Sequence, residues 1–289
     1  GAGAAIDDGI DFISASYLGA PVTATVLTLT NSGVAHPYAV NSSGAPLIIT
    51  PPAGFQAGDK LVVLQLPFGS FTALQPAADI AVSLSLSNRA DIGTPLTMRA
   101  QGGFQYGNDA LANPASDPTI VGTAATTAVT PALLKLTKTY LGPEDETATG
   151  PNFPRQYKIT VDVANGQTIT NLDLIDILPN NLQFVSVDAT TINGSSTSTT
   201  AVNTPSTSTP GGTLTRRFSS VTGTSGTNDA EMLFSFYVPL NDAASNPVIN
   251  ASTGNDATSV DDASTSGSWT PVDTRDATRT VTSDVTNND

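Results

Sequence analysis

The chain has 289 residues, of which 39% are hydrophobic and only 12% charged, and its formal net charge is -14. This length is enough for about two domains, each with its own core. With only 11 Lys and Arg residues there is no basic surface for a phosphate backbone, so we expect no nucleic acid partner. The complete lack of cysteine excludes disulfides, thiolate metal sites and a cysteine nucleophile.

Short strands separated by turns are predicted for the first half. Residues 23–30 end at an Asn-Ser-Gly turn, and residues 47–50 end at two prolines. Residues 61–66 are almost continuously apolar, which is typical of a strand buried on both faces. Residues 80–86 alternate large apolar with small side chains and therefore have one apolar face. Because charged residues are scarce, strands are favoured over exposed helices.

The predicted domain boundary lies near residue 130, after a run of Asn, Pro, Asp, Ala and Thr at 108–130. The domains are thus 1–130 and 131–289. In the second domain, alternating apolar residues predict strands with the following inward positions: Leu134, Leu136, Tyr140; Tyr157, Ile159, Val161, Val163; Leu172, Leu174, Leu178; Met232, Phe234, Phe236, Val238. The polar stretch 190–213 is predicted as a surface excursion or hairpin tip. The expected fold is all-β, with two tandem immunoglobulin-like β-sandwich domains.

A family resemblance covers about residues 131–276. It is carried, in order, by Leu-Thr-Lys-Thr at 136–139, Tyr-Lys-Ile-Thr-Val at 157–161, Asp-Ile-Leu-Pro-Asn-Asn-Leu at 176–182 and Asn-Asp-Ala-Thr at 255–258. The succession resembles the DUF11-type repeat domain, which is akin to isopeptide-forming fimbrial domains and forms stalks in large bacterial and archaeal surface proteins. The resemblance implies an extracellular or cell-surface location after removal of a signal peptide. The first half is only faintly similar to domains that precede such modules.

The resemblance also implies a site. Isopeptide-forming relatives join a lysine on the first strand to an asparagine on the last, beside a buried carboxylate, and the matching residues here are Lys138, Asn255 and Asp176. Parity independently places Lys138 and Asp176 on inward faces. Two alternatives stay open: a noncovalent contact between Lys138 and Asp176, or a lysine that reaches solvent while Asp176 caps a turn.

Calcium is the only cofactor that the sequence suggests, because carboxylates cluster in three predicted loops. None of the clusters has the spacing of a twelve-residue calcium loop, so solvated acidic turns are the alternative. The clusters are Asp7, Asp8 and Asp11; Glu144, Asp145 and Glu146; and Asp261 and Asp262.

We expect no enzymatic activity. His36 is the only histidine, it lies in a predicted loop at 34–38, and no serine or aspartate motif surrounds it. One tryptophan and six tyrosines are few for a glycan-processing cleft.

The expected function is therefore structural: a subunit or module of an extracellular filament, fimbria or surface layer, whose partners are copies of itself or neighbouring modules. Residues 1–5 are small, residues 6–18 are apolar and alternating, and residues 275–285 form a Thr-rich strand. Either end could complete the sheet of a neighbour, which predicts assembly by strand complementation and sheet-edge contacts. No apolar run is long enough to insert into a membrane. The alternative is an adhesin or stalk module that binds a glycan or protein ligand, for instance through 190–213.

Overall fold

The structure is a computed structural model that describes residues 9–41, 43–55, 57–66, 77–105, 119–143, 148–226, 228–249, 260–274 and 276–288. Every regular element in these ranges is a β-strand, which confirms the predicted all-β fold. None of them contains a helix that could span a bilayer. The chain separates into two compact units, unit 1 at Gly1–Pro131 and unit 2 at Ala132–Asp289.

Unit 1 contains short strands in small antiparallel sheets. One sheet has three strands in the order β2-β1-β7, and the others are the pairs β3-β6, β4-β5, β8-β11 and β9-β10. The bounds are β1 Ile10–Tyr17, β2 Ala20–Pro21, β3 Thr23–Thr28, β4 Val34–Val40, β5 Pro46–Ile49, β6 Lys60–Gln65, β7 Ile80–Leu86, β8 Leu96–Ala100, β9 Gly103–Gln105, β10 Thr119–Val121 and β11 Ala125–Val129.

Two local predictions for unit 1 are wrong. The apolar residues of β6, expected to be buried on both faces, are only half-buried. A doubly buried strand needs a covering layer on each side, and β6 pairs only with β3 in the described residues. His36 lies in strand β4 rather than in a loop.

Unit 2 is a sandwich of two five-stranded antiparallel sheets. The first sheet has the order β12-β13-β19-β15-β16, and the second has the order β17-β18-β14-β20-β21. The bounds are β12 Leu134–Tyr140, β13 Arg155–Val163, β14 Thr168–Leu178, β15 Gln183–Ile192, β16 Ser195–Ser196, β17 Thr200–Asn203, β18 Gly212–Thr222, β19 Ala230–Tyr237, β20 Val260–Trp269 and β21 Arg279–Asn288.

The core of unit 2 is formed by the inward faces of the long central strands. The alternation predicted for β13, β14 and β19 is confirmed, since the inward side chains within these strands are almost fully buried. Val238 lies beyond β19 and is only half-buried, as are Leu134 and Tyr140 at the ends of β12. The rings of Tyr157, Phe234 and Phe236 meet in this core, with Tyr157 and Phe236 stacked 4.8 Å apart. The indole nitrogen of Trp269, on β20, donates a hydrogen bond of 3.0 Å to Gln167 Oε1, so the polar atom of this buried ring is satisfied.

The polar stretch 190–213 is only partly the surface excursion that its composition suggests. Strand β15 continues to Ile192, and Asn193 and Gly194 form the tip of the hairpin with positive φ angles. Strand β17 then pairs with β18 at the edge of the second sheet. Ser and Thr tolerate an exposed edge strand well, so a stretch too polar for a core still forms strands here.

Candidate functional site: a lysine and a carboxylate in the core of unit 2

Lys138 and Asp176 meet inside the sandwich. Lys138 lies on β12, the first strand of unit 2, and Asp176 lies on β14 between the buried Leu174 and Leu178. Because β12 and β14 belong to opposite sheets, their inward side chains face each other across the core. Lys138 Nζ lies 2.7 Å from Asp176 Oδ2 and donates a hydrogen bond to it, and both side chains are 0% exposed.

Aromatic rings surround the lysine. Its Nζ lies 4.2 Å from the centroid of the Tyr157 ring and 6.0 Å from that of Phe234. The faces of these rings carry negative potential and attract the ammonium group, which compensates part of its lost hydration. A buried ion pair of this kind adds little net stability. Removal of one partner, however, leaves the other charge buried without that partner and lowers the free energy of unfolding by about 3–5 kcal/mol.

The arrangement brings a nucleophile close to an acid. Transfer of one proton from Nζ to Oδ2 would leave an uncharged amine beside a protonated carboxyl group, away from water. Such an amine can attack a carbonyl carbon, and the carboxyl group can donate a hydrogen bond to the carbonyl oxygen. Asn255, which the resemblance implies as the electrophile, lies outside the described residues.

The other two lysines near this site face outward, on the opposite side of the same strands. Lys135 is exposed and pairs in register with Asp162. Lys158 lies 3.7 Å from Glu231 Oε2, with its side chain 32% exposed. Desolvation by burial, and secondarily the nearby Asp229, raise the pKa of Asp162. The outer face therefore carries exposed charge, and Lys138 differs from its neighbours by pointing inward.

The predicted acidic clusters are only partly described. Asp7, Asp8 and the acidic run 144–146 lie outside the described residues, whereas Asp11 is exposed on β1. Asp261 and Asp262 belong to β20 rather than to a loop, and Asp262 is exposed. No group of three or more potential metal-binding side chains occurs in the part of the chain that the structure describes. Calcium binding stays a prediction.

Sequence reasoning missed one fully buried carboxylate. Asp229 precedes β19 and accepts hydrogen bonds from the backbone N–H of Val163 and from both the N–H and the hydroxyl of Thr224, at 2.8, 2.9 and 2.8 Å. It thus holds the end of β13 to the turn that follows β18. The Ser, Thr and Gly residues around it have the composition of an ordinary turn, and nothing in that pattern marks this carboxylate as buried.

His36 has a local structural role. Its Nδ1 accepts hydrogen bonds from the backbone N–H groups of Tyr38 and Ala39, at 3.0 and 2.9 Å. Burial lowers its pKa below the ordinary value. These two bonds lie where the register of β4 with β5 shifts, between Ala35 and Val40, so the ring stabilises this irregular part of the strand.

Both terminal strands pair within the chain. Strand β1 lies between β2 and β7, and β21 pairs with β20. Residues 1–8, which belong to the predicted donor segment, lie outside the described residues.

No protein-family model and no curated protein matches this chain. Among solved structures, it is similar to the full-length major pilin SpaD of Corynebacterium diphtheriae, with 14% identity over 92% of this chain and 60% of that one, at a TM-score of 0.33. BcpA, the major pilin subunit of Bacillus cereus, matches with 10% identity over 91% of this chain and 69% of that one, at 0.35. RrgB, a pilus protein of Streptococcus pneumoniae, matches with 15% identity over 89% and 44%, at 0.27.

The chain thus spans 60% of the length of SpaD and less than half the length of RrgB. TM-scores this low do not establish a common fold over the matched length. The role of this chain therefore has to be inferred from its own geometry.

Proposed function

We propose that this chain is a structural subunit or module of an extracellular filament, fimbria or surface layer, and that it assembles with copies of itself or with neighbouring modules through strand complementation and sheet-edge contacts. The observation that carries the proposal is the inward-facing Lys138 of β12, hydrogen-bonded to Asp176 across the core. This contact joins the two sheets of unit 2, which supports a structural role for the chain.

We further propose that Lys138 forms an amide crosslink with Asn255, assisted by Asp176. The uncharged Nζ attacks the side-chain carbonyl carbon of Asn255 while the protonated Asp176 polarises its oxygen. A new bond forms between Nζ and that carbon, the bond to the amide nitrogen breaks, and ammonia leaves with the proton taken from Nζ. The crosslink needs no cofactor and no oxidant, which suits a chain without cysteine.

Intact-mass spectrometry tests the crosslink. Loss of ammonia lowers the mass of the chain by about 17 Da relative to the sequence value. The Lys138→Ala variant should have its full calculated mass, whereas Lys135→Ala, which removes the outward-facing lysine of the same strand, should retain the loss. Digestion followed by peptide sequencing then identifies the asparagine that carries the bond.

An unmodified mass for the native chain would reject the crosslink and leave a noncovalent Lys138–Asp176 contact. A mass loss that persists in Lys138→Ala would assign the reaction to a different lysine.

Electron microscopy of the purified chain tests the assembly role separately. Filaments or ordered sheets at high concentration are expected. Dispersed monomers under all tested concentrations and salts would contradict the assembly role and favour the alternative function, an adhesin or stalk module that binds a glycan or protein ligand.

A further inference from the structure

Strand β7 forms an open edge of the three-stranded sheet in unit 1. The sheet order ends with β7, so in the described residues only one side of this strand is paired. All seven residues of β7 are uncharged, none is proline, and its apolar face is exposed, with Val82, Leu84 and Leu86 at 48%, 39% and 44%. Open strands with this composition are ready templates for another strand.

Several other sheet edges in the described residues carry features that discourage pairing. Strand β2 is two residues long and ends at Pro21, and β16 also has only two residues. Strand β17, an edge of the second sheet of unit 2, has a register shift between Ala201 and Asn203. Such short, proline-containing or bulged edges are common protective devices in native sheets, and β7 has none of them.

The sequence of β7 is complementary to itself in the antiparallel direction. A second copy centred on Ser83 would place Ile80 opposite Leu86 and Val82 opposite Leu84. All the large apolar residues of both strands would then lie on one face, where cross-strand apolar pairs stabilise a sheet. A shift by one residue would put apolar side chains beside serines, and a shift by two would leave the terminal Ile80 or Leu86 without an apolar partner, so the pattern favours this register.

Charges flanking the strand favour the same arrangement. Asp79 immediately precedes β7 and Arg89 lies three residues after its end, and both are exposed. Antiparallel pairing brings the Asp79 end of each copy towards the Arg89 end of the other, whereas parallel pairing would bring like charges together. Two chains of net charge -14 repel each other, so a contact between copies needs an uncharged strand with complementary ends.

We propose that two copies of this chain pair antiparallel through β7, forming one continuous sheet in the order β2-β1-β7-β7-β1-β2. The inference deepens the proposed assembly role, on which it rests, by naming one of the contacts. The contact is isologous and therefore closes into pairs, so a filament requires a second, different contact.

Cysteine crosslinking tests the register, since the chain has no cysteine of its own. In the Ser83→Cys variant the two thiols lie opposite each other across the two-fold axis, within the separation that a disulfide requires. The matched control is Ser85→Cys, an equally exposed serine two residues away whose thiols would lie about 13 Å apart. With diamide as oxidant at micromolar protein, Ser83→Cys should form a covalent dimer at least about tenfold faster.

Equal rates for the two variants, or no dimer from either, would overturn the β7 contact.

Charge reversal gives a second, independent test. Sedimentation equilibrium should show that Asp79→Arg and Arg89→Asp each raise the dimer dissociation constant about tenfold. The double variant should recover the native dissociation constant, and high salt should abolish the effect of each single variant. Additive weakening in the double variant would contradict the antiparallel pairing.

Electron microscopy separates failure of this inference from failure of the proposed function. The Leu84→Lys variant places a charged side chain on β7, which discourages pairing at this edge. If this variant still forms filaments with a normal subunit repeat, the β7 contact is overturned and the assembly role is left intact. If the unaltered chain forms no assembly of any kind, the assembly role fails as well.

Discussion

Units 1 and 2 contain the same kind of strand and differ in how those strands are covered. Strands β13, β14 and β18 of unit 2 have 9–11 residues, and each is paired on both sides. In the described part of unit 1 most strands have a single neighbour, and the buried residues there are Ala15, Leu29 and Pro131. A two-stranded sheet is marginally stable by itself, so we expect unit 1 to open at lower free energy than unit 2.

The difference shows that an alternating pattern specifies a strand but not its burial. Residues Ile80–Leu86 alternate as regularly as residues Arg155–Val163, yet the first strand is exposed and the second buried. Burial requires a second layer at the right distance, and among the described residues that layer extends over a long stretch in unit 2 only.

The largest effect is expected from Lys138→Met. Removal of the ammonium group leaves the Asp176 carboxylate buried without this partner, which should lower the free energy of unfolding of unit 2 by about 3–5 kcal/mol. Urea unfolding followed by the fluorescence of Trp269, the only tryptophan, measures it. The double variant Lys138→Met/Asp176→Leu lacks the proposed crosslink just as the single variant does, so it should be more stable than Lys138→Met by about 1–4 kcal/mol. An equally unstable double variant would contradict this explanation.

Next comes a matched pair of leucines. Leu172→Ala removes a side chain that is 0% exposed and should cost about 2–5 kcal/mol. Leu84→Ala, on the exposed face of β7, should change stability by about 0.5 kcal/mol or less. Hydrogen exchange resolved by residue measures both units in one experiment. Similar costs at the two positions would show that unit 1 buries Leu84 as tightly as unit 2 buries Leu172.

Two glycines extend the comparison to backbone packing. A Cβ added at Gly267 in β20 would clash with Cγ2 of Ile169, so Gly267→Ala should destabilise unit 2 by about 1–3 kcal/mol. The control is Gly102 in unit 1, where a Cβ meets no atom within 4 Å and Gly102→Ala should be nearly neutral. Thermal unfolding of both variants checks the prediction, and a neutral Gly267→Ala would show that the core of unit 2 is looser than its burial indicates.

The smallest effect concerns pH and belongs to unit 1. Because burial lowers the pKa of His36, the folded chain favours the neutral ring, whose Nδ1 accepts two backbone bonds. The neutral His36 ring therefore stabilises the folded chain at pH values above 6.5, the ordinary pKa of histidine. This stabilisation is lost as the pH falls through the lower pKa of the folded state. An NMR titration should give a His36 midpoint below 6.5. A midpoint above that value would contradict it, and His36→Ala should remove the pH dependence of β4 while leaving unit 2 unchanged.

Much of unit 2 could be predicted from periodicity alone. Tyr157, Ile159 and Val161 share a parity, and the structure buries all three. The inward direction of Lys138 and Asp176 follows from the same rule, because strand side chains alternate whatever their chemistry. Their 2.7 Å contact could not be derived in this way, since it depends on which strands face each other across the sandwich.

Other features depend on tertiary context that local patterns do not contain. In the described residues β6 belongs to a sheet of only two strands, and its apolar side chains are half-buried. Strand β17 forms by pairing with β18. Asp229 is buried because three donors from β13 and from the turn after β18 converge on it. In each case the deciding factor is the way other segments of the chain pack around the residue.

The position of the Lys138–Asp176 contact has a mechanical consequence. The first strand of unit 2, β12, lies beside the last, β21, and a tensile force applied through the chain enters the domain at one of them and leaves at the other. A force that pulls these two strands apart acts on the sheet containing β12 and on the sheet containing β21 in opposite directions. The contact between Lys138 and Asp176 joins those two sheets, so it resists their separation under force even though the ion pair adds little to the equilibrium free energy of unfolding.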